Sequence, residues 1–148
     1  MRSGTVVGAE EFIRDLQKLG AEMDKVKREM LKAGGAEMAD AWRREITSRN
    51  FVESGSLLKG VRYRLKTKKG GVLRAEITSQ GEVTRASRRG KSSTVSNAAK
   101  AFYLHYGTSK VRATHWIDSA EADGEPKSTA AMDAILKDAL KKYGGKST

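Results

Sequence analysis

The first part of the chain carries a helical pattern of apolar positions. Apolar side chains recur at alternating spacings of four and three residues, which places them on one face of a helix: Phe12, Leu16, Leu19, Met23, Val26 and Met30. Gly20 and the Gly34-Gly35 pair are weak points, because Gly costs about 1 kcal/mol relative to Ala inside a helix. Met38, Trp42 and Ile46 then continue at a spacing of four. The pattern predicts a helix from about residue 21 to 48.

The next segment alternates with a period of two, which indicates a β-hairpin. Apolar residues from Val61 to Thr67 alternate with cations, and the alternation resumes at Leu73 after Lys69-Gly70-Gly71. A three-residue loop with Gly71 in a left-handed conformation keeps both apolar sets on one face. The predicted cross-strand pairs are Thr67 with Leu73, Leu65 with Ala75, Tyr63 with Ile77, Arg64 with Glu76 and Lys66 with Arg74.

The segment from 82 to 97 is rich in Gly, Ser, Thr and Arg, and it is predicted to be a long mobile basic loop. Residues 98–106 read as a short helix or strand that Gly107 ends. Glu125-Pro126 predicts the start of a last helix, since Pro is favoured in the first turn. Its apolar stripe is Ala131, Ile135, Ala139 and Tyr143, and residues 144–148 are predicted to be a disordered tail.

Residues 113–120 are predicted to form another strand. Adjacent residues of a strand face opposite ways, so Trp116 is expected to enter the core and Ile117 to point outward towards a neighbour. The combined prediction is one α+β domain over residues 1–148. In it, a long N-terminal helix packs on a small antiparallel sheet, with a C-terminal helix.

Composition narrows the environment. The chain has 148 residues and no cysteine, so disulfides and thiolate chemistry are excluded. Its N-terminal residues contain no apolar run of signal-peptide length, and nothing approaches the ~20 apolar residues of a membrane span. We therefore expect a soluble protein with no membrane partner.

The net charge of +11 is concentrated in the middle of the chain. Residues 59–100 carry a net charge of +10, whereas residues 1–58 are neutral and residues 101–148 carry +1. A concentrated basic block is typical of a surface that meets phosphate or an acidic partner, although a charged strand face can also be merely solvated. The candidate surface consists of Arg62, Arg64, Lys66, Lys68, Lys69, Arg74, Arg85, Arg88, Arg89 and Lys91.

Catalytic and cofactor patterns are weak. His105 and His115 are ten residues apart without a recognisable metal-ligand spacing, so no metal is expected. His115, Asp118 and Ser119 contain the atoms of a triad, but on one extended stretch they would point to opposite faces. No Walker or dinucleotide-binding glycine pattern is present, so no cofactor is expected.

Two motifs, in a fixed order between the helices, resemble a known family. They are Ser54-Gly55-Ser56-Leu57-Leu58-Lys59-Gly60-Val61, and the segment 102–110 followed by His115-Trp116-Ile117-Asp118-Ser119-Ala120. The chain resembles the small tail-completion or minor tail-component (head-tail joining, neck) proteins of long-tailed double-stranded-DNA bacteriophages and prophages. It departs from the pattern at His105, where the family usually has an acidic residue, and at Ser119, where it usually has Pro. The matching positions are Gly55, Leu57, Tyr106, Gly107, Thr108, Trp116, Ile117 and Ala120.

The resemblance implies a non-enzymatic virion protein of the neck or tail end, assembled in the bacterial cytoplasm. Its expected partners are further copies in a ring, commonly of six, and head-completion, tail-terminator or tail-tube proteins. Nonspecific contact with packaged DNA would also be consistent with the basic block. The alternative, from the charge alone, is a nucleic-acid-binding protein that uses residues 59–100. Low aromatic content and the lack of a base-reading motif count against it.

Overall fold

The computed structural model describes residues 9–51 and 55–144, with side chains for 17–51 and 55–143. The side chains of Phe12 and Leu16 in the predicted helical stripe, and residues 145–148 of the predicted tail, therefore lie outside what is described. The elements in chain order are α1 (Ala9–Ser48), α2 (Ser56–Gly60), β1 (Val61–Thr67), β2 (Leu73–Ser79), β3 (Glu82–Ala86), β4 (Ser92–Ser96), α3 (Asn97–Tyr106) and α4 (Trp116–Gly144). The order confirms the α+β fold.

Helices α1 and α4 pack antiparallel along their length. Near one end, Tyr143 donates a hydrogen bond to Glu22. Further along, Arg44 binds Asp123 through Nε and Nη2 at 3.0 and 2.9 Å. Between these points, a Cβ added at Gly34 would lie 2.7 Å from Ser128 Oγ, and one added at Gly124 would lie 2.8 Å from Ala41 Cβ. Helix α1 continues through the glycines that were predicted to weaken it. Gly34 and Gly124 allow the close approach of α1 and α4.

The hairpin of β1 and β2 has the register predicted from the sequence. Tyr63 lies opposite Ile77, Arg64 opposite Glu76 and Thr67 opposite Leu73. Lys68 N–H donates to Val72 O at 2.8 Å, and Gly71 has a φ of 79°, so the three-residue loop is as expected. The apolar face packs on α1, where a Cβ at Gly35 would lie 3.0 Å from Tyr63 Cδ2.

Residues 82–96 form a second, separate hairpin of β3 and β4, which we call the arm. The prediction of an irregular loop here is wrong in its secondary structure, whereas the predicted mobility stays a prediction. Val83 pairs with Val95, and the hydroxyls of Thr84 and Thr94 lie 2.9 Å apart. β-Branched residues favour strands, and the sequence analysis gave them too little weight beside Gly, Ser and Arg.

Helix α4 starts at Trp116, so the strand predicted for 113–120 is wrong. Trp116, Ile117 and Ala120 are all buried, at a spacing that one helical face satisfies. Pro126 was predicted to begin this helix but lies well inside it, on an exposed position. The helix extends to Gly144, the first residue of the predicted tail. Residues 98–106 are helical, as one of the two readings allowed, and Gly107 follows with a φ of 80°.

The core lies where the end of α1 meets α2, α3 and the start of α4. Its most buried large side chains are Trp116, Ile46, Leu57 and Val61. Trp42 and Phe51 pack against Trp116 edge to face, with ring centroids 4.9 and 6.3 Å away. Among the described helices, none combines the length and the apolar character needed to cross a bilayer.

Substitution of Gly60 tests how closely the end of α2 approaches the backbone that follows β2. A Cβ there would lie 2.1 Å from the backbone carbonyl oxygen of Gln80, which cannot swing away as a side chain could. We expect Gly60→Ala to lower the free energy of unfolding by roughly 1–3 kcal/mol or more, through overpacking. The matched control is Gly20→Ala, since no atom lies within 4 Å of the added Cβ. It should raise stability by about 0.5–1 kcal/mol because Ala favours a helix interior. Urea unfolding of both variants checks this, and equal effects would contradict it.

Candidate assembly surfaces

A buried amide fixes the base of the arm. Asn97, the first residue of α3, is almost fully buried, and its Nδ2 donates to the carbonyl oxygens of Gln80 at 2.7 Å and Ser56 at 3.0 Å. Its backbone N–H donates to Gly81 O at 2.8 Å. One side chain therefore joins α2, the β2–β3 connection and α3. Asn97 is not among the residues predicted from the sequence, although the step from a Ser/Thr-rich segment to Asn-Ala-Ala is a helix-start signal.

Beyond this base the arm is exposed. Every residue from Glu82 to Ser96 is exposed except Val83, which is half-buried. The turn at the tip presents Arg88, Arg89 and Lys91, and the described residues offer no carboxylate partner to these three side chains. Arg85 lies on β3, opposite Ser93. The arm is thus a cationic projection whose tip charges are not neutralised within the described chain.

On the outer face of the β1–β2 hairpin, two of the cations share one carboxylate. Lys66 Nζ lies 2.5 Å from Glu76 Oε2, and Arg74 also pairs with Glu76. The hydrogen bond from Lys66, supported by the charge of Arg74, lowers the pKa of Glu76. Arg62 Nη1 donates to the carbonyl oxygens of Lys59 and Val61 at 2.8 and 2.7 Å. The like-charged pair predicted across the sheet is therefore relieved by a carboxylate of the same chain.

The remaining predicted cations are placed on separate features. Arg64 is exposed on β1, and Lys68 and Lys69 are exposed in the loop after it. The β1–β2 and β3–β4 hairpins belong to two different sheets. The basic segment of the sequence therefore divides between two structural units.

Helix α3 carries an exposed aromatic face. Phe102, Tyr103 and Tyr106 are 53%, 52% and 67% exposed, and the rings of Phe102 and Tyr106 stack with an interplanar angle of 8°. Contiguous exposed aromatic surface is typical of interaction sites. The opposite side of the same helix buries Ala101 and His105.

His105, His115 and Asp118 come together in space, although their sequence spacing is not that of a metal site. Each offers one potential ligand atom within 4.8 Å of the others. However, His105 Nδ1 accepts the Ile117 N–H at 3.2 Å, near the start of α4. A neutral imidazole that accepts at Nδ1 carries its proton on Nε2, the atom that lies 3.7 Å from Asp118 Oδ1. In this arrangement His105 accepts an N–H at the start of α4, which is a helix-capping role.

The family-motif positions lie mainly in turns and core. Gly55, with a φ of 69°, precedes α2, and Leu57 is buried beneath it. Gly107 is closely surrounded, since a Cβ would lie 2.7 Å from Ala113 N, and Thr108 Oγ1 accepts the N–H of Val111 at 3.1 Å. Of the eight positions, Tyr106 is the one with a large exposed side chain.

The two departures from the pattern both have partners. His105 accepts a helix N–H, which the oxygen of an acidic residue could also accept. Ser119 Oγ accepts from Arg49 Nη2 at 3.0 Å, while Arg49 Nη1 donates to Thr114 O at 3.2 Å. The end of α1 is thereby tied to the start of α4.

Comparison with known families identifies the chain by a family profile. The sequence profile of the HK97-gp10-like family, described as "Bacteriophage HK97-gp10, putative tail-component", matches residues 10–107. The matched range runs from α1 through the arm and α3. No individually curated protein and no solved structure matches the chain.

Truncation of Trp116 and Ile117 tests the corrected placement of this pair. Both side chains are buried, so both changes should destabilise the monomer: Trp116→Ala by about 3–5 kcal/mol and Ile117→Ala by about 2–5 kcal/mol. The control is Leu140→Ala on the same helix, where the side chain is 57% exposed and the effect should stay within about 0.5 kcal/mol. Chemical denaturation measures all three. A fully stable Ile117→Ala would contradict the placement and favour the outward orientation expected of a strand.

Acid should weaken the fold through two paired carboxylates. Hydrogen bonds from Lys127 and Arg44 lower the pKa of Asp123, as those from Lys66 and Arg74 lower that of Glu76. Because these pKa values are lower in the folded state, the stabilisation is present above the ordinary carboxyl range of about 4 and is lost as the pH falls below it. We expect the urea concentration at the unfolding midpoint to decrease as the pH is lowered from about 5 to about 3.

The double variant Glu76→Gln, Asp123→Asn should show a shallower acid dependence than the wild type. Asp133→Asn is the control, because Asp133 is exposed and has no ion pair among the described residues. An unchanged slope in the double variant would show that other groups cause the acid sensitivity.

Proposed function

Because the chain belongs to the HK97-gp10-like family of bacteriophage tail components, we propose that it acts in tail completion or head-to-tail joining. It does so as a non-catalytic subunit of an oligomeric ring, of about six copies, at the neck or tail end. Its neighbours there are head-completion, tail-terminator or tail-tube proteins. The protein joins the virion after folding in the host cytoplasm.

The observation that carries this proposal is the amount of interaction-competent surface outside the core. A two-stranded hairpin alone is marginally stable in water, yet the arm projects with almost all of its residues exposed. Three large aromatic side chains of α3 are at least half exposed. Both features are reasonable for a subunit whose fold is completed by neighbours, and exposed strand edges readily accept another chain.

Sequence-specific DNA binding is less well supported. Lys66 and Arg74 share Glu76, whereas Arg62, Arg64, Lys68 and Lys69 remain as cations that the β1–β2 hairpin can offer to phosphates, but none of them belongs to a base-reading motif. The arm tip could still contact packaged DNA without reading its sequence. Such contact should be weak at physiological salt and fall steeply as salt rises, by about 0.9 log units per log salt for each phosphate neutralised.

Removal of the gene from an inducible phage tests the proposed role. We expect filled heads and separate tails, or tails of abnormal end structure, in electron micrographs, because a missing ring leaves the joint incomplete. Supplying the wild-type protein from a plasmid should restore joined particles. Native mass spectrometry of the purified protein should show a closed oligomer at high protein concentration.

Normally joined particles without the gene would contradict a structural role at the joint. Nanomolar affinity for one defined DNA sequence, persisting at physiological salt, would instead favour the DNA-binding alternative. If the purified protein forms a closed oligomer but particles without the gene are normal, the ring is retained and its position at the head–tail joint is rejected.

A further inference from the structure

The arm tip carries an excess of cations. Arg88, Arg89 and Lys91 stand within four residues of one another in an exposed turn, and the described residues contain no carboxylate bound to them. The arm packs mainly on α3, through β4. Cations this close repel one another, which an anionic surface over them would relieve.

A groove elsewhere on the molecule has the complementary character. Its floor is formed by apolar or aromatic side chains of α1 and β2, and its rim by two carboxylates of α4. The groove has a volume of about 370 Å³ and is lined by Met38, Trp42, Ala75, Ile77, Glu121 and Glu125. It lies along β2, whose second edge has no partner strand within the described part of the chain.

The two rim carboxylates are also unneutralised. Glu121 and Glu125 are exposed, and neither forms an ion pair among the described residues. They stand four residues apart on α4, a spacing at which like charges face each other and destabilise a helix. A cation placed between them would remove this repulsion.

We propose that the arm tip of one copy docks in this groove of a second copy, with Arg88 and Arg89 bound to Glu121 and Glu125. Guanidinium groups bind carboxylates well, and the apolar stems of the two arginines can cover the groove floor. The inference rests on the proposed ring function and names the contact that builds the ring.

A second copy is the occupant that the charges favour. Tip and groove belong to the same chain, are opposite in charge and are different surfaces. Such a contact is heterologous: each copy donates its tip to one neighbour and receives a tip from the other, which closes into a ring when the rotation allows. An unrelated acidic partner at the tip would leave the acidic groove unexplained.

Charge reversal at each surface tests the contact in the full-length protein. The tip variant is Arg88→Glu with Arg89→Glu, and the groove variant is Glu121→Lys with Glu125→Lys. Matched controls carry the same changes at exposed sites elsewhere: Lys110→Glu with Lys137→Glu, and Asp133→Lys with Asp138→Lys. Circular dichroism melts confirm that each variant folds, and sedimentation velocity measures self-association over a concentration series.

We expect each reversed variant to need about tenfold or more protein to associate, because like charges now face each other. The controls should associate as the wild type does. An equimolar mixture of tip and groove variants should regain assembly, since every contact then joins opposite charges. The variant with all four changes should also assemble by itself.

Association of the reversed variants at wild-type concentrations, or no recovery in the mixture and the four-fold variant, would overturn the contact while leaving the ring intact. A wild-type chain that stays monomeric at the highest concentrations would reject both the ring and the contact. The tip variant and the groove variant each carry only one reversed surface. Recovery in their mixture therefore requires the two surfaces to meet.

Discussion

The fold depends on the burial of one tryptophan. Trp116 is fully buried, yet its indole N–H must find an acceptor, and it donates to Ala101 O at 3.0 Å. A backbone carbonyl has two lone pairs, so Ala101 can serve the indole as well as its own helix. Trp42 of α1 packs against the same ring. A single side chain thus sets the start of α4, the position of α3 and the contact with α1.

Polar contacts complete what this apolar centre begins. Asn97 holds the arm to α2 and α3, Arg49 holds the end of α1 to the start of α4, and His105 accepts a free N–H of α4. Asn97 and His105 provide partners for backbone groups in the interior, where an unpaired polar group is costly, and Arg49 makes its contacts at the surface. These three side chains therefore join the helices into the body from which the arm and the aromatic face of α3 project.

The features predicted best from the sequence are those that depend on the alternation of side chains along neighbouring strands. The β1–β2 register follows from alternation and from a glycine loop of odd length, because a slip by one residue would bury Arg64 and Lys66. The start of α4 was predicted poorly from the sequence, because Pro126 is a residue typical of a first helical turn. The actual start is set by the burial of Trp116 in the core. The sequence could not reveal that Lys66 and Arg74 share Glu76, nor that His105 meets Asp118, since these contacts depend on side-chain placement in space.

The antiparallel pairing of α1 and α4 has a practical consequence for labelling. Glu22 and Tyr143 meet at one end of the helix pair, while Trp116 and the base of the arm lie towards the other. Helix α4 has 29 residues, which corresponds to about 43 Å at 1.5 Å per residue. A fluorophore or an affinity label placed near Tyr143 would therefore be tens of ångströms from the base of the arm. Such a label could report on the orientation of the helix pair without touching the arm tip or the groove lined by Glu121 and Glu125.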